Sequence, residues 1–373
     1  MARININTRV SLAQASTAIA TLGAQRTVIL QGEPGIGKSW LIKELASKFP
    51  TYRPVYIDCQ LLLDQGDFFY PFIEDTPSGN KVAKRVMLED FNFHSDQPLI
   101  IMLDEVGKSA KAVINVLLTL IYDRRIGSVP VPEGTIIFAT TNLATDGVGD
   151  FVAAHVRSRV IKLEVRKPHA GFKHDGSVDP DSWGHWALGN NISPDLLAWV
   201  KSNQHCLESY REFDAKEKWT NPYAFHPTQG AEAYVCPRTL HAASDVIKER
   251  DILGHDLTLS LLAGAAGESF ARDISAFLLV KDRLTSLDAI VAAPENAAIP
   301  ADSDAVALCV MVFNLITATK NETIVPLVTY MNRLPKEYQA MYARSLMANG
   351  DKQKVAVACT SFRKWAIDNH WMF

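Results

Sequence analysis

A glycine-rich segment at residues 32–39 has the residue types and the spacing that bind phosphate. It reads Gly-Glu-Pro-Gly-Ile-Gly-Lys-Ser, follows a β-branched run and precedes apolar residues at helical spacing. A turn of this kind exposes consecutive backbone N–H groups to phosphate oxygens, and the helix after it adds its positive N-terminal end. We therefore predict that Lys38 reaches the outer phosphates of a nucleotide and that Ser39 offers its hydroxyl to Mg²⁺.

An apolar strand at residues 99–103 ends in two acidic residues, Asp104 and Glu105. In phosphoryl-transfer enzymes, one carboxylate at such a strand end helps to hold Mg²⁺ and a nearby side chain orients the attacking water. We predict Ser39 and Asp104 as the metal ligands and Glu105 as the residue that polarises the water. The predicted nucleotide contacts are Gly32, Glu33, Pro34, Gly35, Ile36, Gly37, Lys38, Ser39, Trp40 and Asp104.

Short strand-like runs alternate with helical segments through the first part of the chain. The five strand candidates are residues 27–31, 54–58, 99–103, 135–140 and 160–163. Between the third and fourth of them, apolar residues recur on one helical face at residues 113–121. This alternation is typical of a parallel sheet that is covered by helices on both faces.

Two changes in composition divide the chain. A stretch rich in Gly, His, Asp and Pro follows residue 167, and an alanine-rich stretch with two prolines spans residues 285–304. Stretches of this kind mark loops between structural elements. We predict an α/β nucleotide-binding domain over residues 1–167, a helical domain with an insertion over residues 168–285, and a helical C-terminal extension over residues 286–373.

The composition limits the classes of partner. The 373 residues include 38 Lys plus Arg and 41 Asp plus Glu, which gives a formal net charge of -3. A chain with this charge has no overall electrostatic attraction to nucleic acid. The five cysteines lie far apart without a CxxC pair, which disfavours a zinc site and a disulfide framework and fits a reducing cytoplasm. The apolar runs are too short to cross a bilayer, so we expect a cytoplasmic protein with no membrane segment.

Residues 138–142, Phe-Ala-Thr-Thr-Asn, resemble the sensor-1 strand of AAA+ ATPases. In that family the polar residue at the end of the strand positions the attacking water, and Asn142 falls on this position. An asparagine that caps a turn after a strand is the alternative interpretation. The resemblance implies an α/β fold, the AAA+ P-loop αβα sandwich with a five-stranded parallel sheet, and it implies ATP and Mg²⁺ as cofactors.

Three arginines lie in segments that resemble further AAA+ motifs. Residues 156–160, Val-Arg-Ser-Arg-Val, are similar to the arginine-finger segment, and this implies a catalytic role for Arg159 or Arg157. Residues 236–240, Cys-Pro-Arg-Thr-Leu, are similar to the start of the sensor-2 helix in the lid, and this implies a catalytic role for Arg238. For Arg157 and Arg159, the alternative is a pair of arginines in a loop that are merely solvated.

Among AAA+ ATPases the chain resembles the MoxR-like branch, which includes McrB-like and dynein-like motors. Residues 64–71 and the turn at Ser78-Gly79 resemble the insert in the second helix of this branch, and residues 124–132 resemble its hairpin before sensor 1. Residues 183–267 are similar to its lid, and this implies that the helical domain at residues 168–285 is a lid. The aromatic residues 68–70 are either a pore loop that grips a client or part of the core.

The resemblance implies a homo-oligomeric ring, expected to be a hexamer, with ATP between subunits. MoxR-like ATPases remodel other proteins as chaperones and usually act with a von Willebrand factor A-domain partner, so both are expected here. The alternative is a nucleic-acid motor or loader of the McrB-like or clamp-loader kind, which the net charge disfavours. A scaffold that binds ATP without turnover is a third interpretation, and the pairing of Asp104 with Glu105 speaks against it.

Overall fold

The computed structural model describes residues 9–88, 91, 93, 96–143, 159–173, 177–212, 221–225, 233–281 and 284–372. The chain forms two compact units, Met1–Lys167 and Pro168–Phe373, here called unit 1 and unit 2. Within the described part of the chain, no helix combines the length and the apolar character that crossing a bilayer requires.

Unit 1 is built on a six-stranded sheet in which all neighbouring strands are parallel. The strands found in the described part of unit 1 are β1 (Arg9–Val10), β2 (Val28–Gln31), β3 (Arg53–Asp58), β4 (Phe69–Asp75), β5 (Lys81–Met87), β6 (Leu99–Asp104), β7 (Arg125–Ile126), β8 (Val129–Pro130), β9 (Ile136–Thr141) and β10 (Ile161–Val165). The main sheet has the spatial order β1-β10-β2-β9-β6-β3. The five strands predicted from the sequence are all present, and the two-residue β1 extends the sheet at one edge.

Helices cover both faces of this sheet. The described residues of unit 1 form the helices α1 (Leu12–Leu22), α2 (Leu41–Lys48) and α3 (Lys111–Asp123). Along β6, Ile100 and Met102 pack with α1 and α2, whereas Ile101 and Leu103 pack with α3. Side chains alternate between the two faces of a strand, so a strand that is buried on both faces is apolar throughout. The predicted α/β sandwich is confirmed.

Two hairpins leave the main sheet. Strands β4 and β5 pair antiparallel as a separate two-stranded sheet, with the predicted turn at Ser78-Gly79 between them and Gly79 at φ +80°. Strands β7 and β8 form the second hairpin, at the position that the sequence predicts before β9. Phe68 immediately before β4 is fully buried and its ring stacks on Phe91, with ring centroids 5.3 Å apart. The first aromatic residue of the trio therefore belongs to the core.

Unit 2 is helical. Within the residues that the structure describes, its helices are α4 (Trp183–Gly189), α5 (Pro194–Ser202), α6 (Pro237–Lys248), α7 (Arg250–Leu253), α8 (His255–Ala266), α9 (Glu268–Lys281), α10 (Leu287–Ala292), α11 (Ala305–Ala318), α12 (Ile324–Met331), α13 (Lys336–Ala348), α14 (Gly350–Ala358) and α15 (Thr360–Asp368). Helix α6 begins at Pro237, as predicted, because proline fits the first helical turn. One hydrophobic core extends from Ala170 to Trp365.

Candidate nucleotide-binding site

The glycine-rich loop joins β2 to α2. Gly35 and Gly37 have φ values of +73° and +104°, which glycine adopts without a steric penalty. A Cβ on Gly32 would lie 2.9 Å from the carbonyl oxygen of Val165, so no side chain fits there. Directly after Gly37, a 3₁₀ turn at Lys38–Trp40 leads into α2. The local structure is thus the strand, loop and helix start that the sequence predicts.

Lys38 lies folded over this loop. Its Nζ donates hydrogen bonds to the carbonyl oxygens of Gly32 at 2.9 Å and Glu33 at 2.8 Å, and to Oδ1 of Asn142 at 3.1 Å. The residue is only 6% exposed. Because a buried ammonium group needs acceptors, these three oxygens stabilise its charge beside the loop. A phosphate oxygen that entered the loop would meet a cation already in place.

Asp104, at the end of β6, accepts hydrogen bonds from three hydroxyl groups. Its Oδ2 accepts from Ser39 Oγ at 2.9 Å and from the Tyr56 hydroxyl at 2.8 Å, and its Oδ1 accepts from the Thr140 hydroxyl. The phenol of Tyr56 has its pKa raised by burial and by the neighbouring Asp104, so it remains a protonated donor. The predicted metal ligands Ser39 and Asp104 are therefore brought together. A hydroxyl oxygen beside a carboxylate is a donor set that fits Mg²⁺.

Asn142 connects Lys38 to Glu105. Its Nδ2 donates to both carboxylate oxygens of Glu105, at 2.8 and 3.0 Å, while its Oδ1 accepts from Lys38. Lys108 adds an ion pair, with Nζ 3.4 Å from Oε2 of Glu105. Glu105 itself has φ +52°, a backbone conformation that costs a non-glycine residue about 1–3 kcal/mol and that concentrates at functional sites. The carboxylate is held from two sides.

Strand order explains why these residues meet. β9 lies between β2 and β6 and pairs parallel with both. The loop after β2, Asp104 at the end of β6 and Asn142 after β9 therefore lie at the same edge of the sheet. In open α/β sheets, ligands bind outside the carboxyl ends of the strands. The geometry matches a nucleotide site at this edge.

The other residues predicted to contact the nucleotide differ in how far their side chains are exposed. The side chain of Ile36 is buried in the core with α1 and α2, so only its backbone can face a ligand. Glu33 is buried and Pro34 is half-buried. Trp40 is exposed, and Nζ of Lys43 lies 4.8 Å from its ring centroid.

The three predicted arginines are Arg157, Arg159 and Arg238. Arg159 is exposed, and its guanidinium lies 5.0 Å from the ring centroid of Tyr122. Burial raises the pKa of Tyr122, and Arg159 opposes this shift. Arg157 lies outside the described residues. Arg238 is an exposed residue in the first turn of α6, in unit 2. The catalytic roles of these arginines stay predictions.

Sequence reasoning missed three residues of the site: Tyr56, Thr140 and Lys108. Thr140 lies inside the segment that resembles sensor 1, and its side chain binds both Asp104 and the backbone N–H of Glu105, the latter at 3.3 Å. Lys108 follows Glu105 by three residues, a spacing that could have indicated the ion pair. Tyr56 carried no local signal, because the pairing of β3 with β6 is not visible in the sequence.

Comparison with known proteins identifies the class of this domain. Residues 27–159 match the family profile of the AAA domain, dynein-related subfamily. No protein with curated annotation matches the chain. The chain therefore contains an AAA+ domain with the P-loop fold, followed by a helical C-terminal region, and the match points to an ATPase. AAA+ ATPases bind ATP, usually with Mg²⁺.

Solved structures of three other proteins resemble the chain at low identity. A point mutant of RuvB from Thermotoga maritima aligns at 16% identity and TM-score 0.36, covering 73% of this chain and 69% of that one. Hsp104 in its closed state with ATPγS and FITC-casein aligns at 19% identity and TM-score 0.29, covering 38% of this chain and 29% of that one. NtrX of Brucella abortus aligns at 11% identity and TM-score 0.33, covering 96% and 67%.

Proposed function

We propose that this protein binds ATP with Mg²⁺ at the loop of residues 32–39, hydrolyses it with Glu105 and Asn142, and uses the reaction in a ring to remodel a partner protein. The observation that carries the catalytic part is the connected set of Lys38, Asn142 and Glu105 beside the Ser39–Asp104 pair. Phosphoryl transfer depends mainly on positioning and charge neutralisation, and this set supplies both.

Each residue has a distinct task in the proposed reaction. The ammonium of Lys38 pairs with the outer phosphate oxygens, in exchange for one of the oxygens that it now contacts. Ser39 and Asp104 hold Mg²⁺, which supplies charge neutralisation at the phosphates when bound. Asn142 and Lys108 keep the Glu105 carboxylate oriented so that it can accept a hydrogen bond from the attacking water. Removing Asn142 would leave the carboxylate with one support.

Two substitutions test the catalytic assignment. Lys38→Ala should abolish ATP binding in calorimetry, because its charge is directed at the phosphate site. Glu105→Gln should bind ATP normally and hydrolyse it very slowly, because Asp104 still holds Mg²⁺ while the acceptor for the water proton is lost. Unchanged ATP affinity in the first variant, or normal turnover in the second, would refute the assignment.

We propose further that the work done is MoxR-like chaperone remodelling by a homo-oligomeric, hexameric ring in the cytoplasm. The hairpin of β4 and β5 supports this, since it exposes Tyr70 at 64%, Phe72 at 56% and Ile73 at 65%. Large apolar side chains in contact with water are typical of surfaces that bind another molecule. Residues 168–285 are proposed as the lid and residues 286–373 as the extension.

A von Willebrand factor A-domain protein is the proposed partner of this ring. The support is the resemblance of residues 64–71 and 124–132 to MoxR-like ATPases, together with the two hairpins that these segments enter. A purified candidate of this class, encoded beside the gene, should change the ATPase rate of the wild type. The test variant is Tyr70→Ala, which removes an exposed aromatic ring from the hairpin. It should reduce the change in ATPase rate if the hairpin contacts the partner or its client.

A nucleic-acid motor is the second candidate, and the same hairpin favours it because Lys84 lies opposite the aromatic residue Phe72. Aromatic and basic side chains together bind single strands by stacking and charge. The ion pair between Lys84 and Glu74 weakens this argument. Single- and double-stranded DNA should leave the ATPase rate unchanged at physiological salt if the client is a protein. Stimulation by severalfold would make nucleic acid the preferred client.

Arg159 is proposed to complete the site of a neighbouring subunit. An arginine supplied in this way is worth roughly 10³–10⁵ in rate. Arg159→Ala should bind ATP and hydrolyse it poorly, and mixing it with Lys38→Ala under subunit exchange should restore part of the activity, because some interfaces then contain both intact halves. If the mixture stays inactive despite proven co-assembly, Arg159 does not act in trans, and Arg157 is the next residue to test.

A further inference from the structure

We propose that Tyr56 is a positioning residue of the divalent-cation site, and that its hydroxyl fixes the Asp104 carboxylate in the orientation that faces Ser39. The observation is the hydrogen bond of 2.8 Å from the Tyr56 hydroxyl to Oδ2 of Asp104, the same oxygen that accepts from Ser39. The inference rests on the proposed function, because it takes Ser39 and Asp104 as the metal-binding pair.

The strand register places Tyr56 within reach of Asp104. β3 pairs in parallel with β6, with Tyr56 opposite Met102 and Asp58 opposite Asp104. Tyr56 is therefore two residues from the level of Asp104 along the strands, about 6.6 Å, and points to the same face of the sheet. A phenol spans this distance, whereas a shorter polar side chain at position 56 would not. The contact depends on the identity of this residue.

The orientation of the Asp104 carboxylate is fixed only when each of its two oxygens accepts a hydrogen bond. The terminal torsion of an aspartate is broad, so a carboxylate bonded at one oxygen can still rotate. Thr140 bonds Oδ1, and Ser39 and Tyr56 bond Oδ2. When the Ser39 oxygen turns toward a cation, Tyr56 is the hydroxyl that continues to restrain Oδ2. Without it, Thr140 alone would orient the carboxylate.

The Tyr56 ring itself contributes little to packing. It is 52% exposed and lies on β3, at the edge of the main sheet. Tyr56→Phe keeps the ring and removes only the hydroxyl, so an effect of this variant reports the hydrogen bond. Tyr52→Phe is the matched control, because Tyr52 lies just before β3 and its ring packs on Phe49, with centroids 5.2 Å apart.

The test measures cation binding directly. Mn²⁺ is titrated into protein saturated with ADP, and bound Mn²⁺ is followed by electron paramagnetic resonance. Partners that orient metal ligands typically contribute 10–100-fold in metal affinity. We expect Tyr56→Phe to raise the Kd for Mn²⁺ by about tenfold, at the low end of this range because the contact is indirect. Tyr52→Phe should leave it unchanged.

ADP affinity in excess EDTA separates the outcomes. In Tyr56→Phe it should equal that of the wild type, because the loop around Lys38 is intact, and this result also shows that the variant is folded. The inference is overturned if the Kd for Mn²⁺ stays within twofold of the wild type. It is also overturned if the affinity for Mn²⁺ and the affinity for ADP in excess EDTA fall together. If the wild type binds no nucleotide at all, the proposed function fails first and the inference falls with it.

Discussion

The hydroxyl of Thr140 ties together the two acidic residues of the site, and its removal by Thr140→Val should destabilise unit 1. The side chain is fully buried. Its Oγ1 donates to the Asp104 carboxylate and accepts the backbone N–H of Glu105 at 3.3 Å. Valine has nearly the same shape but can form neither bond. The substitution therefore isolates the two hydrogen bonds from packing.

The two lost bonds set the size of the effect. A hydrogen bond to a charged group contributes about 1.5–3 kcal/mol to stability. The bond from Glu105 N–H is long and partly exposed, so its loss adds about 1 kcal/mol, the low end for an unpaired donor. Together we expect a loss of about 2.5–4 kcal/mol in the free energy of unfolding, a large share of the roughly 5–15 kcal/mol of a native domain.

Thr27→Val is the matched control for this experiment. Thr27 is 1% exposed and its hydroxyl donates to the carbonyl oxygen of Ile121 at 2.9 Å, a neutral acceptor. This variant should lose about 1 kcal/mol. Urea titrations with hydrogen-exchange mass spectrometry of residues 99–104 and 136–141 report the stability of unit 1. If Thr140→Val costs no more than Thr27→Val, the bond to Asp104 does not carry the stability assigned to it.

Four other substitutions have defined outcomes. Gly37→Ala should lose about 1–2 kcal/mol of stability, because alanine is strained at φ +104°, and calorimetry should show weaker ADP binding. Phe68→Ala should lower unfolding stability by about 3–5 kcal/mol, because it empties a buried site. Tyr70→Ala at an exposed site should change the free energy of unfolding by less than about 0.5 kcal/mol, and urea titrations measure both variants. Burial raises the pKa of the Cys59 thiol from 9.0 to about 12. The contribution of the buried thiol to the free energy of unfolding is therefore intact below pH 9. It is lost as the pH rises toward 12, because the thiol ionises more readily in the unfolded chain. In urea titrations between pH 9 and 12, the free energy of unfolding should fall less steeply with pH for Cys59→Ala than for the wild type. An identical dependence on pH would contradict the burial argument.

The parts of the site that could be predicted from sequence are those in which a single segment determines the local structure. The loop at residues 32–39 needs glycine at its positive φ angles, and Asp104 and Asn142 follow apolar strands directly. Tyr56 and Thr140 could not be found in this way. Tyr56 reaches Asp104 only because β3 pairs with β6, although strands β4 and β5 lie between them in the chain.

The aromatic trio shows the same limit at shorter range. Composition cannot separate Phe68 from Tyr70, because both are large aromatic residues two positions apart. The structure separates them because β4 begins at Phe69. Phe68 lies before the strand and packs on Phe91 in the core, whereas Tyr70 is 64% exposed on the hairpin. Tertiary packing decides which of these aromatic residues is buried, and three consecutive aromatic residues in a sequence do not indicate it.

The β4–β5 hairpin has a consequence for how this protein can diversify. It forms its own two-stranded sheet, and the hydrogen bonds described above for Lys38, Asp104, Glu105 and Asn142 all come from residues outside its two strands. Its exposed side chains, such as Tyr70, Phe72 and Ile73, can therefore be exchanged by mutation without disturbing these hydrogen bonds. Related chains that retain the proposed nucleotide site can thus acquire different hairpin tips, and a hairpin grafted from one chain to another should transfer contact preference while turnover remains that of the recipient.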